Sequence, residues 1–290
     1  MTPSWRQLRD GAVARLAAAG VDDPTQEVRW IAERASGRSP AEQVAALDLA
    51  VTDREATVVD QLVRRREAGE PLQYVVGSWG FRTLDLLVDQ RVLIPRPETE
   101  IVAGLAIDAA AAVVGRPALV VDLGTGSGAI ALSVAAERWP HVEVWATDVS
   151  ADALAVARAN LAGLGRRSSV VRLVEGDWFT ALPEDLRGRV DVLVSNPPYV
   201  AATDPLPPEV AKWEPTLALH SGIDGLDDLR RIIADAPRWL TRGGVLVTEI
   251  GEAQGEAVVA LATGAGLVDA TIAPDLAGRD RALVARLPER

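Results

Sequence analysis

From about residue 95 onward, the chain alternates short apolar runs with longer stretches of helical spacing. The apolar runs have the length of buried strands, and most of them are separated by a helical stretch. Such alternation predicts a mostly parallel sheet with helices on both faces. The last two runs are joined through a short Gly278-Arg279-Asp280 turn, so the final strand is expected to be antiparallel. The strands are expected near residues 118–123, 142–147, 169–174, 190–195, 244–250, 267–273 and 281–286.

Residues 1–70 have a different pattern, in which apolar residues recur at helical spacing. Four helix start signals, each a Ser, Thr or Asp followed three residues later by Gln or Glu, occur at Ser4, Asp23, Ser39 and Thr52. This segment is therefore predicted to be an all-α bundle. It contains no catalytic constellation, so its role is either to dock a protein partner or to brace the rest of the chain.

Residues 71–94 lie between these two patterns. The apolar residues at 74–76 and 84–92, separated by Gly77 and Gly80, predict two short strands that form a β-hairpin linker. The chain is thus expected to consist of a bundle at 1–70, a hairpin at 71–94 and an α/β domain at 95–290.

A glycine-rich turn follows the first predicted strand of the sheet. Residues 124–128 read Gly-Thr-Gly-Ser-Gly, and a helical stretch begins at Ala129. Glycines let the backbone approach a ligand closely, and the following helix points unpaired N–H groups at it. Asp148 ends the next strand, where an acidic side chain can accept hydrogen bonds from ribose hydroxyls. Because the turn also satisfies the loose dinucleotide fingerprint, a nicotinamide enzyme stays an alternative.

A second motif, Asn196-Pro197-Pro198-Tyr199, follows the apolar run at 190–195. Neither proline has an N–H group and both have a fixed φ, so this loop is stiff and offers carbonyl acceptors without competing donors. Asn196 adds a side-chain oxygen and Tyr199 an aromatic face. The motif is suited to hold an amide NH2 group, although taken alone it is equally consistent with an ordinary strand-to-loop turn.

The positions of the two motifs favour S-adenosylmethionine as the ligand. In an open α/β sheet the carboxyl ends of the strands share one edge, where ligands bind, so the glycine turn and Asn196 are expected to meet there. Asp177 and Trp178 follow the third strand and can flank an adenine ring. Core packing is the alternative for Trp178 and its neighbour Phe179.

Composition limits the classes of protein to which the chain can belong. It has 290 residues, 48% of them hydrophobic, no cysteine and a net charge of −11. A long DNA-binding groove requires clustered basic residues, and the single triple-basic run, at 64–66, is interpreted as a solvated helix end or a docking contact. The lack of cysteine and of a signal sequence favours the cytoplasm, and no membrane association is expected. His141 and His220 are too few for a histidine-based metal site, so no metal is expected.

Several motifs together resemble the release factor glutamine methyltransferase family (PrmC/HemK). The resemblance covers nearly the whole chain, and its most selective run is Ile94-Pro95-Arg96-Pro97-Glu98-Thr99-Glu100. His220, before Gly222, departs from the small or acidic residue expected there, and its role is left open. The other matching positions are residues 71–74, Gly77, Phe81, 92–93, 122–131, 176–178, 196–199, 214–215, 218–219, Gly222, 224–226, 243–244, 249–251 and 254–255.

The resemblance implies a Rossmann-like, seven-stranded class I methyltransferase sheet. It also implies transfer of a methyl group from S-adenosylmethionine, leaving S-adenosylhomocysteine, to the glutamine of the Gly-Gly-Gln motif in class-1 release factors. Asp122 is interpreted as a structural residue of the glycine turn. The cofactor-binding residues are expected to be Gly124, Thr125, Gly126, Ser127, Gly128, Asp148, Asp177, Trp178 and Asn196.

The residues expected to be catalytic are Asn196, Pro197, Pro198 and Tyr199. An amide nitrogen is a poor nucleophile because its lone pair is conjugated with the carbonyl. If Asn196 and the Pro197 carbonyl each accept one amide hydrogen, the nitrogen can direct its lone pair at the sulfonium methyl. Two alternatives stay open, an adenine-N6 nucleic-acid methyltransferase and a nicotinamide oxidoreductase or catalytically silent cofactor-binding adaptor.

Overall fold

The computed structural model describes residues 3–289. The chain divides into two compact units, Met1–Ser78 with Pro207–Trp213, and Trp79–Leu206 with Glu214–Arg290. None of the helices in the described part of the chain has the length and apolar character that a membrane span requires. The helices are α1 (Trp5–Ala18), α2 (Pro24–Ser36), α3 (Pro40–Ala45), α4 (Asp53–Glu67), α5 (Leu72–Val76), α6 (Thr99–Ala111), α7 (Ala129–Arg138), α8 (Ala151–Gly163), α9 (Pro208–Trp213), α10 (Asp227–Trp239) and α11 (Gly255–Gly264). The strands are β1 (Ser78–Phe81), β2 (Leu84–Leu87), β3 (Ala118–Leu123), β4 (Val142–Asp148), β5 (Val171–Glu175), β6 (Val190–Ser195), β7 (Leu240–Glu249), β8 (Val268–Pro274) and β9 (Asp280–Arg286).

The first unit is helical, as predicted, and contains α1–α5 together with α9. All four predicted start signals cap a helix, because each side-chain oxygen accepts a hydrogen bond from a backbone N–H three residues later. Helix α2 ends at Gly37, whose φ of +69° lies in the left-handed region that favours glycine. The core of this unit includes Trp5, Leu16, Ile31, Val59, Val63 and Val75.

The hairpin that follows lies later in the sequence than predicted. Tyr74, Val75 and Val76 are part of α5 and are buried, so the strand expected at 74–76 was wrong. The strand propensity of these residues is outweighed by the burial of their side chains, which the short helix packs into the helical core. The hairpin consists of β1 and β2, and β2 ends at Leu87 instead of continuing to residue 92. The segment boundaries at 70 and 94 stay predictions.

The triple-arginine run at the end of α4 is mostly structural. Arg66 contacts Glu27 at 2.7 Å and Glu209 at 2.9 Å, and its side chain is only 14% exposed. Arg65 pairs with Glu70 and also donates to the carbonyl oxygens of residues 74 and 75. Only Arg64, 72% exposed and paired with Asp60 within the helix, fits the interpretation of a solvated helix end. That interpretation was therefore wrong for Arg66.

We expect the substitution Arg66→Met to lower the free energy of unfolding by about 2 kcal/mol, because it leaves the largely buried carboxylate of Glu27 without its partner. Arg64→Met, two positions earlier in α4, is the matched control and should cost less than about 0.5 kcal/mol, since exposed ion pairs contribute little. Urea unfolding of both variants measures the difference. Equal losses would contradict the structural role of Arg66.

The second unit is built around a seven-stranded sheet with the strand order β5-β4-β3-β6-β7-β9-β8. β9 is antiparallel to both of its neighbours and the other pairs are parallel, which confirms the expected sheet. From β3 the chain continues to β4 on one side and later to β6 on the other. A crevice forms at the carboxyl ends of the strands where the order reverses in this way. Leu123 lies opposite both Thr147 of β4 and Ser195 of β6.

Both faces of the central strands are covered by helices. β3 and β6 are buried along their full length, as parallel strands between two helical layers usually are. Val120 and Val192 belong to the core that contains α6 and α7, whereas Leu119 and Leu193 belong to the core that contains α10 and α11. The strand predicted at 169–174 begins later, at Val171, because Gly165–Val170 forms a 3-10 helix.

Candidate active site

A cavity of about 490 Å³ lies in the second unit at the carboxyl edge of the sheet. This volume is in the range of small-molecule sites. The cavity is bounded by the glycine turn, by the ends of β4, β5 and β6, and by the segment that leads into α6. Its lining residues are 90–93, Pro95, Thr99, 124–127, Ala129, Ile130, 148–150, Asp152, Ala153, 176–178, Asn196, Pro198, Pro215, Leu217, Ala218, Asp228 and Arg231.

The glycine turn has a backbone that only glycine adopts readily. The φ angles of Gly124, Gly126 and Gly128 are +71°, +56° and +87°. A Cβ atom at Gly124 would lie 3.0 Å from the ring of Trp178, and one at Gly128 would lie 2.9 Å from Leu132. The first two glycines line the cavity, whereas Gly128 faces α7 and is the cap residue before that helix.

Asp122 holds the glycine turn through hydrogen bonds, which confirms that it is a structural residue of the turn. Its buried carboxylate accepts hydrogen bonds from the Thr125 hydroxyl at 2.7 Å and from the Ala131 N–H at 3.1 Å. Burial raises the pKa of Asp122 to about 7, against the opposing effect of these two hydrogen bonds. The hydroxyl of Thr125 is thus committed to Asp122, although Thr125 itself lines the cavity.

Asp148 connects the end of β4 to the glycine turn. Its carboxylate accepts from the N–H of Gly126 at 2.8 Å and from the N–H of Ser150 at 2.9 Å. Burial raises its pKa despite these hydrogen bonds. Each carboxylate oxygen has a second lone pair. Asp148 lines the cavity and can therefore accept hydrogen bonds from a ligand while it holds the turn.

The aromatic residues after β5 have separate roles. Trp178 lines the cavity, and its indole N–H donates to Asp228 at 3.2 Å. Phe179 is buried and stacks on Trp239 with ring centroids 5.6 Å apart, so core packing accounts for Phe179, whereas Trp178 lines the cavity and also packs partly against the same core. Asp177 also lines the cavity, but its carboxylate pairs with Arg231 at 2.5 Å.

The second motif reaches the same cavity through two of its four residues. Asn196 and Pro198 line the wall, together with the glycine turn. Of the motif's other two residues, Pro197 is buried and Tyr199 packs partly against the core of α10 and α11. Ser195 donates its hydroxyl hydrogen to the Leu123 carbonyl at 2.7 Å, and this bond ties the start of the motif to the end of β3.

Side chains from two distant segments hold the second motif. Asn196 Nδ2 donates to Thr99 Oγ1 at 3.1 Å, and Thr99 Oγ1 donates to Glu249 Oε2 at 2.7 Å. The Tyr199 hydroxyl donates to Glu249 Oε1 at 3.2 Å, and Gln254 Nε2 donates to the Tyr199 carbonyl at 3.0 Å. Burial raises the pKa of Glu249 to about 7, and burial together with the Glu249 carboxylate raises the pKa of Tyr199.

Sequence reasoning about individual residues missed several of these supports. Thr99 and Glu249 occur in segments noted for the family resemblance, but their spacing along the chain carries no sign that they meet Asn196. Asn160 was also missed. It exchanges two hydrogen bonds with the backbone of Leu87 and donates to the Ser127 carbonyl, and it thereby links the hairpin to the glycine turn.

His220 lies beside the second motif without lining the cavity. Its backbone forms a parallel bridge with Val200, directly after Tyr199. Its Nδ1 atom is buried and has no hydrogen-bond partner among residues 3–289. The same residues contain no group of three His, Asp or Glu side chains that is placed to hold a metal ion.

Solved structures with the same fold define the class of protein. A methyltransferase from Pyrococcus furiosus is 19% identical, with a TM-score of 0.50, over 71% of this chain and 90% of its own. The hMettl16 catalytic domain, solved in complex with MAT2A 3'UTR hairpin 6, is 17% identical, with a TM-score of 0.54, over 82% of this chain and 83% of its own. The sheet and its strand order are thus those of the class I methyltransferases.

Sequence relatives narrow this class to one family. The PrmC N-terminal domain matches residues 7–77, and the methyltransferase small domain matches residues 111–207. The release factor glutamine methyltransferase of Cereibacter sphaeroides is 46% identical over 96% of both chains, and that of Streptomyces coelicolor is 44% identical over 95% of both. The chain belongs to the release factor glutamine methyltransferase family.

The raised pKa of Asp122 predicts how stability changes with pH. The folded protein keeps a proton on Asp122 up to about pH 7, whereas the unfolded chain releases it near pH 4. The stability associated with the neutral form is therefore present in acid and lost as the pH rises between these values. Because asparagine stays neutral, we expect Asp122→Asn to gain about 2 kcal/mol relative to the parent protein between pH 5 and pH 8.

Denaturant unfolding of both proteins at several pH values measures this difference. Asp224→Asn is the control, because an exposed Arg230 partner lowers the pKa of Asp224 and its titration is complete below pH 5. A difference between Asp122→Asn and the parent protein that does not change with pH would contradict the prediction.

Proposed function

We propose that this protein transfers the methyl group of S-adenosylmethionine to the side-chain amide nitrogen of the glutamine in the Gly-Gly-Gln motif of class-1 release factors. Membership of the family supports the reaction. The observation that carries it is the position of Asn196, which lines the same cavity as the glycine turn. This proposal places the enzyme in the cytoplasm, where translation takes place.

The residues at the glycine end of the cavity fit S-adenosylmethionine. Gly124 and Gly126 present a backbone surface without side chains, and a Cβ atom at Gly124 would lie only 3.0 Å from the ring of Trp178. We infer that Asp148 accepts the hydrogen bonds of the ribose hydroxyls and that Trp178 contacts the adenine. We place Asp177 beside the adenine as well, with one of its carboxylate oxygens paired with Arg231. When bound, S-adenosylmethionine supplies an electrophilic methyl group on a sulfonium.

The other end of the cavity fits a carboxamide. The nitrogen of an amide is a poor nucleophile, because resonance delocalises its lone pair over the carbonyl group. We infer that the Asn196 side-chain oxygen accepts one hydrogen of the substrate NH2 and the Pro197 carbonyl accepts the other. Both acceptors bind more strongly as positive charge develops on nitrogen, so they favour the transition state over the ground state.

The remaining two residues of the motif shape this end of the cavity. Pro198 lines the wall, and like Pro197 it brings no competing N–H group. We assign Tyr199 the role of excluding water from the amide plane. Its hydroxyl is bonded to Glu249, so the ring is held in one orientation.

Methylation of adenine N6 in nucleic acid is not favoured, although the Asn-Pro-Pro-Tyr motif is shared with enzymes of that class. The chain belongs to a family that is named for glutamine methylation. The net charge of −11 also disfavours a partner that is bound mainly through phosphates.

We expect Asn196→Ala to abolish methyl transfer to a release factor while S-adenosylmethionine still binds within about tenfold of its normal affinity. Transfer of a labelled methyl group measures the first effect and calorimetry the second. The parent protein should label a release factor, should not label DNA, and should not label a release factor whose Gly-Gly-Gln glutamine is replaced by alanine. Labelled DNA would overturn the proposed function. Equal losses of cofactor binding and turnover in Asn196→Ala would instead assign Asn196 to the cofactor.

We expect Asp148→Ala to weaken the binding of S-adenosylmethionine by about tenfold or more, because it removes the proposed acceptor of the ribose hydroxyls. Asp185→Ala provides a control at an exposed aspartate that does not line the cavity. Calorimetry on both variants decides the point, and an unchanged affinity in Asp148→Ala would remove that residue from the cofactor site.

A further inference from the structure

Two buried side chains stand behind Asn196 in a chain of hydrogen bonds. Thr99 is 3% exposed and Glu249 is 1% exposed, so bulk water does not compete for their polar atoms. Thr99 Oγ1 lies 3.1 Å from Asn196 Nδ2 and 2.7 Å from Glu249 Oε2. The other oxygen of Glu249 accepts from the Tyr199 hydroxyl. Both ends of the second motif therefore bond, directly or through Thr99, to one carboxylate.

The direction of these hydrogen bonds follows from which of the groups has a hydrogen to donate. A threonine hydroxyl has one hydrogen to donate, and an ionised carboxylate can only accept. The hydrogen of Thr99 is therefore given to Glu249, which leaves the Thr99 oxygen as an acceptor. Only the NH2 group of Asn196 can donate to that oxygen. The carboxamide oxygen of Asn196 must then face away from Thr99.

We propose that Glu249 and Thr99 are positioning residues that fix which end of the Asn196 carboxamide is presented to the substrate amide. The inference rests on the proposed function, because it requires Asn196 to accept a hydrogen bond from the substrate. The oxygen and the NH2 group of an asparagine have nearly the same shape, and the hydrogen bonds around them decide the orientation. If the carboxamide were reversed, its NH2 group would meet the NH2 group of the substrate, and two donors form no hydrogen bond.

Protonation of Glu249 removes the constraint. A protonated carboxyl group carries a donor of its own, so Thr99 can then accept from Glu249 and donate to Asn196 instead. Burial, with a smaller contribution from the charge of Glu98, raises the pKa of Glu249 to about 7 against the opposing effects of the Thr99 and Tyr199 hydrogen bonds and the charge of Arg281. Turnover should therefore fall on acidification through this range.

The chain offers a direct view of the Asn196 carboxamide, because Asn160 is its only other asparagine. Selective ¹⁵N labelling of asparagine gives two side-chain NH2 signals, and Asn196→Ala assigns them. In Thr99→Val we expect the Asn196 signal to shift and its hydrogens to exchange faster. The Asn160 signal, whose NH2 group is bonded to the carbonyls of Leu87 and Ser127, should stay unchanged. This measurement requires neither cofactor nor release factor.

Kinetics with a release factor provide the second measurement. We expect Thr99→Val to lower kcat about 30-fold with the KM for S-adenosylmethionine within about twofold, and Thr99→Ser to restore kcat to within about threefold of the parent value. Thr263→Val in α11 is the control, because this exposed threonine does not line the cavity and its hydroxyl donates to the Val259 carbonyl of its own helix. It should leave kcat within about twofold.

Glu249→Gln separates positioning from simple packing. Glutamine has one oxygen and one NH2 group, so it cannot accept from both Thr99 and Tyr199. We expect its kcat to be about tenfold lower and to lack the fall near pH 7 that we expect of the parent protein. This variant also decides the question if Thr99→Val does not fold.

Three results would overturn the inference. Thr99→Val could keep its kcat within about threefold of the parent with an unchanged Asn196 signal, or it could lose cofactor binding as much as it loses kcat. Alternatively, Glu249→Gln could still show the fall in kcat on acidification. Failure of the proposed function is distinguishable from these. If the proposed function is wrong, the parent protein itself labels no release factor. The orientation of Asn196 is then tested by its side-chain NH2 signal in Thr99→Val alone.

Discussion

The whole site depends on the register of β3 with its two parallel neighbours. Leu123 lies opposite Thr147 and Ser195, so the glycine turn, Asp148 and Asn196 all leave the sheet at one level. Hydrogen bonds across the strand ends reinforce this level, among them the bond from the Thr125 N–H to the Thr147 carbonyl and the bond from the Ser195 hydroxyl to Leu123. A slip of one residue would turn every side chain of the slipped strand to the opposite face and separate the two motifs.

The two ends of the cavity achieve rigidity by different means. At the glycine end the shape is set by the backbone, and the buried carboxylates of Asp122 and Asp148 hold the turn through its own N–H and hydroxyl groups. At the other end the shape is set by side chains, since Thr99 and Glu249 come from α6 and β7. In the proposed function, the first arrangement holds S-adenosylmethionine, and the second distinguishes hydrogen-bond donors from acceptors on the substrate.

The sequence predicted the architecture well because periodicity and caps are local properties. The alternation of strands and helices and all four helix caps follow from short stretches of chain. Local patterns failed where burial overrides propensity, as at residues 74–76, and where a charged group finds distant partners, as at Arg66. They also could not reveal Thr99 and Glu249 as neighbours of Asn196, because the two lie 97 and 53 residues away along the chain and meet it only through the packing of α6 and the pairing of β6 with β7.

The segment that matches the methyltransferase small domain does not include the two residues that hold the Asn196 carboxamide. Residues 111–207 match the methyltransferase small domain and contain the glycine turn, Asp148 and the whole Asn-Pro-Pro-Tyr motif. Thr99 precedes this interval and Glu249 follows it. Recombining this interval with foreign flanks would keep the whole matching segment while replacing the two residues that we propose orient Asn196. A chain can therefore carry the Asn-Pro-Pro-Tyr motif without the residues that orient its asparagine.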